Sequence, residues 1–405
     1  MRILYWYLKN YAVRGAIGVL AFLSIVGVQG FDTREIQQAF FSLFLICMFS
    51  LLLDNIWITL FMLWTVFLYI YFMFNTGIVY VNNIFIGVIL YYIVKTFFKR
   101  DHIDRYIDVF LWFVVANLAF GVLQLLKFDF YYMLELNART GTTTYVDNNK
   151  AAGFMGFESG LAMLCAISLP LILTRKNKRW FVTLFLIPIF IYSCSSSIAV
   201  IASIISVSFV MWHKFTDVFI DKFKISKIYV VAYLSGLLGL GGFLYIKYVD
   251  FPQGIMGTRL GQWKLTLHDA TIHPITGWGL DSFRNITTLK PYIYSMGLDK
   301  VTTNTFRVDK WDNAHNLYIQ VFYEFGIIGL ILLFGYLRSL HIYFKERRQD
   351  LSNNTIGLYG AILAILVVSI AQFPLYLAAF AAFVVPIFAL YEIEVTTTKV
   401  TDVII

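Results

Sequence analysis

Long apolar runs separated by short polar breaks make up most of the chain. A membrane-spanning helix needs about 20 mostly apolar residues, and runs close to this length recur from one end of the sequence to the other. The pattern predicts an all-α, polytopic membrane protein with twelve transmembrane helices. They are predicted near residues 13–29, 38–53, 56–74, 81–98, 106–126, 153–173, 180–194, 196–212, 228–247, 315–337, 355–371 and 373–391.

One polar segment is much longer than the others. Residues 248–314 contain no apolar run of membrane length, and we predict that they form a large, partly helical loop between the ninth and tenth spans. The chain is otherwise predicted to be a single integral membrane domain, residues 1–405. A polar loop of this size is the part of a membrane protein best suited to hold chemistry.

Composition agrees with the pattern. The chain is 59% hydrophobic and 14% charged, whereas soluble domains average about 45–50% apolar and about 25% charged residues. The net charge of +8 reports membrane topology and gives no reason to expect a nucleic-acid partner. Cys47, Cys165 and Cys194 lie in or beside apolar segments, which indicates buried hydrophobic side chains without a disulfide or metal pattern.

Basic residues orient the predicted spans. If both termini are cytoplasmic, four clusters of Lys and Arg fall on the cytoplasmic side, as the positive-inside rule requires. The loop 248–314 then lies outside the cytoplasmic membrane, together with a smaller loop at 127–152. The segment after Met1–Arg14 has no cleavage pattern and predicts a retained first span. The four basic clusters are residues 95–105, 175–179, 214–227 and 338–348.

The large loop begins with a predicted amphipathic helix. Leu260, Trp263 and Leu267 recur at three- and four-residue spacing, which favours a helix over residues 257–271. Such a helix lies naturally in the membrane interface. Arg259 would then sit at the depth of lipid-linked phosphates. The alternative is that Arg259 extends to ordinary phospholipid headgroups.

A turn follows this helix. His273-Pro274 ends the helix, because proline disfavours a helical residue before it. In Gly277-Trp278-Gly279, two glycines around an aromatic residue allow a tight turn whose amides can converge on an anion. The alternative is a turn that uses glycine only for its positive φ.

The loop ends where the tenth span begins. Asp312 or Asn313 is the expected N-cap, which would place His315 in the first helical turn. The positive end of the helix dipole disfavours an imidazolium there, and a neutral imidazole can accept a proton from a hydroxyl. The free amides of this turn can also attract phosphate. The alternative is a histidine that only forms hydrogen bonds at the interface.

Three other ionisable residues are candidates for the site. Arg139 lies in the smaller outer loop, and Glu158 lies at the outer end of the sixth span. Glu324 lies nine residues after His315, on the opposite helical face, so we do not expect it to orient His315 directly. A carboxylate within a span usually faces the bundle interior. No Cys, His or carboxylate cluster has ligand spacing, so neither a metal nor another cofactor is predicted.

The order and spacing of three motifs resemble the O-antigen ligase and polymerase family of membrane glycosyltransferases. The resemblance is specific over residues 257–333, and elsewhere it concerns only the layout of the spans. The motifs are Arg259-x3-Trp263, His273-Pro274-x2-Gly277-x-Gly279-x3-Phe283 and Ala314-His315-Asn316-x7-Glu324-x-Gly326-x2-Gly329.

The resemblance implies a glycosyltransferase that acts on the outer face of the bacterial cytoplasmic membrane without a metal ion. Its donor would be a glycan on undecaprenyl diphosphate, and its acceptor a glycolipid held among membrane lipids. A ligase would transfer the chain to lipid A–core sugar, and a polymerase to another lipid-linked repeat unit. By the same resemblance, Arg259 clamps the diphosphate through its permanently charged fork. His315 is the candidate base.

One departure from the family keeps ligase and polymerase both open. Family ligases often carry an arginine near the start of the eighth span, where this chain has only Ser195-Ser196-Ser197-Ile198-Ala199. Arg139 and the Gly156-Phe157-Glu158-Ser159 segment also resemble polymerases. A transporter of lipid-linked glycans is a further alternative, although transporters place more charges along their spans. The candidates for substrate binding are Arg139, Arg284, Arg307, Lys310, Gly277, Gly279, Asn316 and Glu158.

Overall fold

The computed structural model describes a subset of the chain, and every regular element in that subset is a helix. The described residues are 55–76, 83–126, 158–175, 183, 187, 196–223, 262–264, 266–279, 282–285, 314–347, 351–372 and 378–401. The helices with both ends described are α1 (Ile56–Thr76), α2 (Asn83–Phe97), α3 (Arg100–Leu125), α4 (Glu158–Thr174), α5 (Ser197–Phe223), α6 (Ser282–Asn285), α7 (Leu317–Glu346), α8 (Asn353–Val368) and α9 (Ala378–Thr401).

All but the short α6 coincide with a predicted span. Helices α3, α5, α7 and α9 run well beyond the predicted limits, because a helix continues into water after its apolar run has ended. Three described segments are long and apolar enough to cross a membrane: Arg100–Leu125, Ser197–Lys214 and Leu317–Glu346. The chain is therefore an integral membrane protein. The predicted spans at 13–29, 38–53, 180–194 and 228–247 lie wholly or mostly outside the described residues, so the number of twelve stays a prediction.

The chain divides into two compact units. Unit 1 comprises Met1–Phe97, Phe243–Gln349 and Ser369–Ala389. Unit 2 comprises Phe98–Gly242, Asp350–Val368 and Leu390–Ile405. The outer loop predicted at 248–314 falls within unit 1.

In unit 2, helices α4, α5 and α8 pack on one another, and α3 packs on α4. Small residues allow the close approach that membrane helices need. A Cβ on Gly360 of α8 would lie only 2.8 Å from the Cβ of Pro170 in α4. At the end of α4, Arg175 forms ion pairs with Asp104 and with Asp108, the latter at 2.9 Å.

In unit 1, α1 packs lengthwise against α7. The side-chain amide of Asn55 donates to the hydroxyl of Ser339 at 3.1 Å. Farther along, the rings of Phe61 and Phe325 stack with their centroids 5.4 Å apart. These contacts fix α1 along both halves of α7, which is the helix that carries the candidate site.

Candidate functional site

Helix α7 is broken at Gly326. This residue has φ 66° and ψ −169°, a combination that essentially only glycine adopts. The tenth span was predicted to be one continuous helix, and the structure corrects this. At the break, the amide of Ile327 donates to the carbonyl oxygen of Pro274 at 2.8 Å, outside the helix. The carbonyl groups just before the break therefore need new donors.

A loop at residues 271–279 supplies most of those donors. The amide of Trp278 donates to the Tyr323 carbonyl at 2.8 Å, and the amide of Gly279 donates to the Glu324 carbonyl at 3.1 Å. The indole of Trp64 on α1 donates to the Phe325 carbonyl at 2.9 Å. The second and third sequence motifs are thus two sides of one backbone contact.

The two glycines of this loop make the contact possible. Gly277 has φ 68° and Gly279 has φ 97°, so the predicted positive-φ turn is confirmed. The amide of Gly277 donates to the His273 carbonyl at 2.9 Å, and the next two amides donate to α7. The other expectation was that these amides converge on an anion. It is corrected, because all three amides donate hydrogen bonds to backbone carbonyls of the protein.

Asn316 is the N-cap of α7. Its side-chain oxygen accepts hydrogen bonds from the amides of Tyr318 and Ile319, both at 3.0 Å. Its side-chain nitrogen donates to the Ile370 carbonyl at 2.7 Å. The predicted caps Asp312 and Asn313 lie outside the described residues. Because Asn316 takes the cap position, His315 precedes the helix. The prediction that His315 lies in the first helical turn is therefore wrong.

His315 has an unusual backbone conformation. Its φ of 48° makes it the one non-glycine residue with positive φ in the described part of the chain. Such strain persists only where the surroundings enforce it, and it is concentrated at functional sites. The surroundings here are well defined. The Ala314 carbonyl accepts from the indole of Trp263 at 2.9 Å, and the amide of Leu317 donates to the Ser369 and Gln372 carbonyls.

The Ala314 amide begins a buried hydrogen-bonded relay. It donates to the side-chain oxygen of Gln320 at 2.7 Å, and the side-chain nitrogen of Gln320 donates to Glu324 at 2.6 Å. The prediction that Glu324 does not orient His315 directly agrees with this route through Gln320. Sequence reasoning missed Gln320, although a Gln and a Glu four residues apart within a span are a detectable signal.

A second buried pair lies beneath the loop. The hydroxyl of Tyr323 donates to the carboxylate of Asp269 at 3.0 Å, and both residues have no exposed surface. The indole of Trp278 donates to the Asp269 carbonyl at 3.0 Å. Phe283 of α6 packs edge-on against Tyr323, with ring centroids 5.1 Å apart. These contacts hold the loop against the first half of α7.

Four of the predicted site residues are described, all in unit 1: Gly277 and Gly279 dock on α7 beside its break, and His315 and Asn316 lie just before its first residue. The other candidates are Arg139, Arg259, Arg307 and Lys310, which lie outside the described residues, and Arg284 and Glu158, whose backbones belong to α6 and α4 but whose side chains also lie outside. Among the described residues, no group of three or more His, Cys, Asp or Glu could hold a metal ion.

Comparison with known protein families indicates a glycosyltransferase-like enzyme. Residues 148–334 match the family model described as O-antigen ligase, and this confirms the resemblance to the O-antigen ligase and polymerase family. A search of curated proteins gave no match. The matched segment contains all three motifs. The match supports a part in polysaccharide and lipopolysaccharide biosynthesis.

Proposed function

We propose that this protein transfers a glycan from undecaprenyl diphosphate to an acceptor sugar on the outer face of the cytoplasmic membrane, as an O-antigen ligase does. His315 is the base and Arg259 the diphosphate clamp. The observation that carries the proposal is the conformation of His315. A strained histidine whose neighbours on both sides are held by hydrogen bonds, just before the N-terminus of a membrane helix, is suited to meet a substrate at the membrane surface.

The reaction needs one proton acceptor and one anion stabiliser. The acceptor hydroxyl attacks the anomeric carbon of the donor sugar, and the bond from that carbon to the diphosphate oxygen breaks. The hydroxyl proton passes to the neutral imidazole of His315 and then to water. Undecaprenyl diphosphate leaves with an additional negative charge. General-base catalysis of this kind contributes roughly 10²–10⁴-fold.

The contact between Trp263 and Ala314 supports the role of Arg259. Arg259 itself is outside the described residues, but it precedes Trp263 by about one helical turn if the predicted helix forms. The indole of Trp263 donates to the residue next to His315. A guanidinium within reach of this point can meet two phosphate oxygens at once. In a water-poor site, one such donor contributes about 2.7–4 kcal/mol to stabilising the transition state.

Substitution of the two residues tests the proposal. We expect His315→Ala and Arg259→Ala to reduce transfer from a radiolabelled lipid-linked donor by at least about 10²-fold. Arg259→Lys should restore only part of the rate, since an ammonium lacks the planar fork. His341→Ala, an exposed histidine on the far half of α7, is the matched control and should keep full activity. Wild-type rates in both alanine variants would contradict the proposal.

The acceptor decides between ligase and polymerase. The missing arginine near the eighth span and the presence of Arg139 favour the alternative, a polymerase that uses a second lipid-linked repeat. Purified protein is therefore incubated with lipid-linked repeats, with and without lipid A–core. Chain growth without lipid A–core identifies a polymerase, and transfer only in its presence identifies a ligase. We expect activity to persist in EDTA, and a strict requirement for added Mg²⁺ or Mn²⁺ would contradict the metal-free mechanism.

A further inference from the structure

We infer that Gln320 and Glu324 are positioning residues for His315. They hold the backbone of His315 in its left-handed conformation through the amide of Ala314, and neither touches the substrate. This inference rests on the proposed function, because it assumes that the placement of His315 limits the rate of transfer. The observation behind it is the pair of hydrogen bonds that run from the Ala314 amide through the Gln320 side chain to Glu324.

The chemistry of the relay fixes its direction. A backbone amide can only donate, so the side-chain atom of Gln320 that faces Ala314 must be its oxygen. The nitrogen of Gln320 therefore faces Glu324, which must accept. Ala314 and Glu324 have no exposed surface, and Gln320 is 1% exposed. Water cannot replace a lost partner in this relay without rearrangement of the protein.

Breaking these two hydrogen bonds should displace His315. The Ala314 amide would lose its buried acceptor, and a buried amide without a partner is costly. The segment would shift to find another acceptor, and the strained φ of His315 would relax toward negative values. A misplacement of about 1 Å at a reacting group can cost about 10²-fold in rate. Arg259 belongs to a different predicted helix, residues 257–271, so binding of the donor diphosphate should change less than the rate of transfer.

Four variants separate positioning from other roles. Gln320→Met keeps the length of the side chain and removes both hydrogen bonds, so kcat should fall by about 10- to 100-fold with an almost unchanged KM for the lipid-linked donor. Glu324→Leu should behave in the same way. Glu324→Gln should keep most of the wild-type kcat, because an amide oxygen still accepts from Gln320. Thr65→Val on α1 loses a part-buried hydrogen bond to the Phe61 carbonyl and should keep full kcat.

The measurements are kcat and KM for transfer from the lipid-linked donor, together with the unfolding temperature of each purified variant. Wild-type kcat in Gln320→Met would overturn the inference. A loss in Glu324→Gln as large as that in Glu324→Leu would also overturn it. Such a result would mean that the negative charge of Glu324 is required and that its hydrogen bond to Gln320 is not sufficient. A comparable loss in Thr65→Val would show a general effect of lost stability and would also overturn it.

His315→Ala in the same assay separates this inference from the proposed function. An active His315→Ala variant refutes the proposed function. An inactive His315→Ala variant together with a fully active Gln320→Met variant refutes only the positioning role. If Gln320→Met does not fold, the comparison of Glu324→Gln with Glu324→Leu still decides the question.

Discussion

Replacing Gly277 with alanine should weaken the contact between the 271–279 loop and the broken helix. A Cβ at this position would lie 2.5 Å from the carbonyl carbon of Glu324, 2.6 Å from its oxygen and 2.7 Å from the nitrogen of Gly326. All three are backbone atoms and cannot move aside cheaply. The left-handed conformation costs alanine about 1–2 kcal/mol, and overpacking costs about 1–3 kcal/mol. The free energy of unfolding should therefore fall by about 2–5 kcal/mol.

Unfolding of the purified protein by sodium dodecyl sulfate in mixed micelles, followed by tryptophan fluorescence, measures this change. Gly87→Ala on α2 is the matched control, because its new Cβ would lie at an ordinary 3.4 Å from the Val385 side chain. A helical glycine replaced by alanine should leave the protein equally stable or up to about 1 kcal/mol more stable. If Gly277→Ala unfolds at the same detergent fraction as the wild type, the loop does not dock on Glu324 as described.

Three further changes test other contacts in the same unfolding assay. Asn316→Ala should lower the free energy of unfolding by about 0.5–2 kcal/mol through loss of the N-cap, whereas Asn316→Asp should keep the cap; equal losses in both would argue against capping. Tyr323→Phe should cost about 1–3 kcal/mol, because it deprives the buried carboxylate of Asp269 of a donor. In a double-mutant cycle with Asp269→Asn the two effects should not add, and simple additivity would contradict a direct bond. Arg175→Met should cost less than about 1 kcal/mol, since its partner Asp108 reaches water, and 1 M salt should reduce the difference. A larger loss that salt leaves unchanged would mean a buried charge.

The positions of the described spans could be predicted because apolar length alone decides them. The break at Gly326 could not. Glycines are common in membrane helices, and this one is unwound where Trp64, Pro274, Trp278 and Gly279 form hydrogen bonds with the backbone around it. Those partners are distant in sequence, so no local pattern around Gly326 could predict them.

The N-terminus of α7 shows a similar limit. Three residues near it, Asp312, Asn313 and Asn316, are all good caps by propensity. The choice of Asn316 agrees with its second bond to the Ile370 carbonyl, a contact that lies far away in the sequence. The helical-face argument for Glu324 assumed that His315 belongs to the helix. Because His315 precedes the helix, its link to Glu324 runs through Gln320 and the Ala314 backbone instead.

The break at Gly326 also sets an order on the biogenesis of this protein. The donors that satisfy the Tyr323 and Glu324 carbonyls come from a segment that leaves the ribosome earlier than α7. Until that segment docks, the cheapest state for α7 in lipid is an unbroken helix, in which each carbonyl keeps its own donor. The broken form of α7 can therefore arise only after that segment has docked. A newly inserted chain should therefore remain inactive until the 271–279 loop has docked on α7.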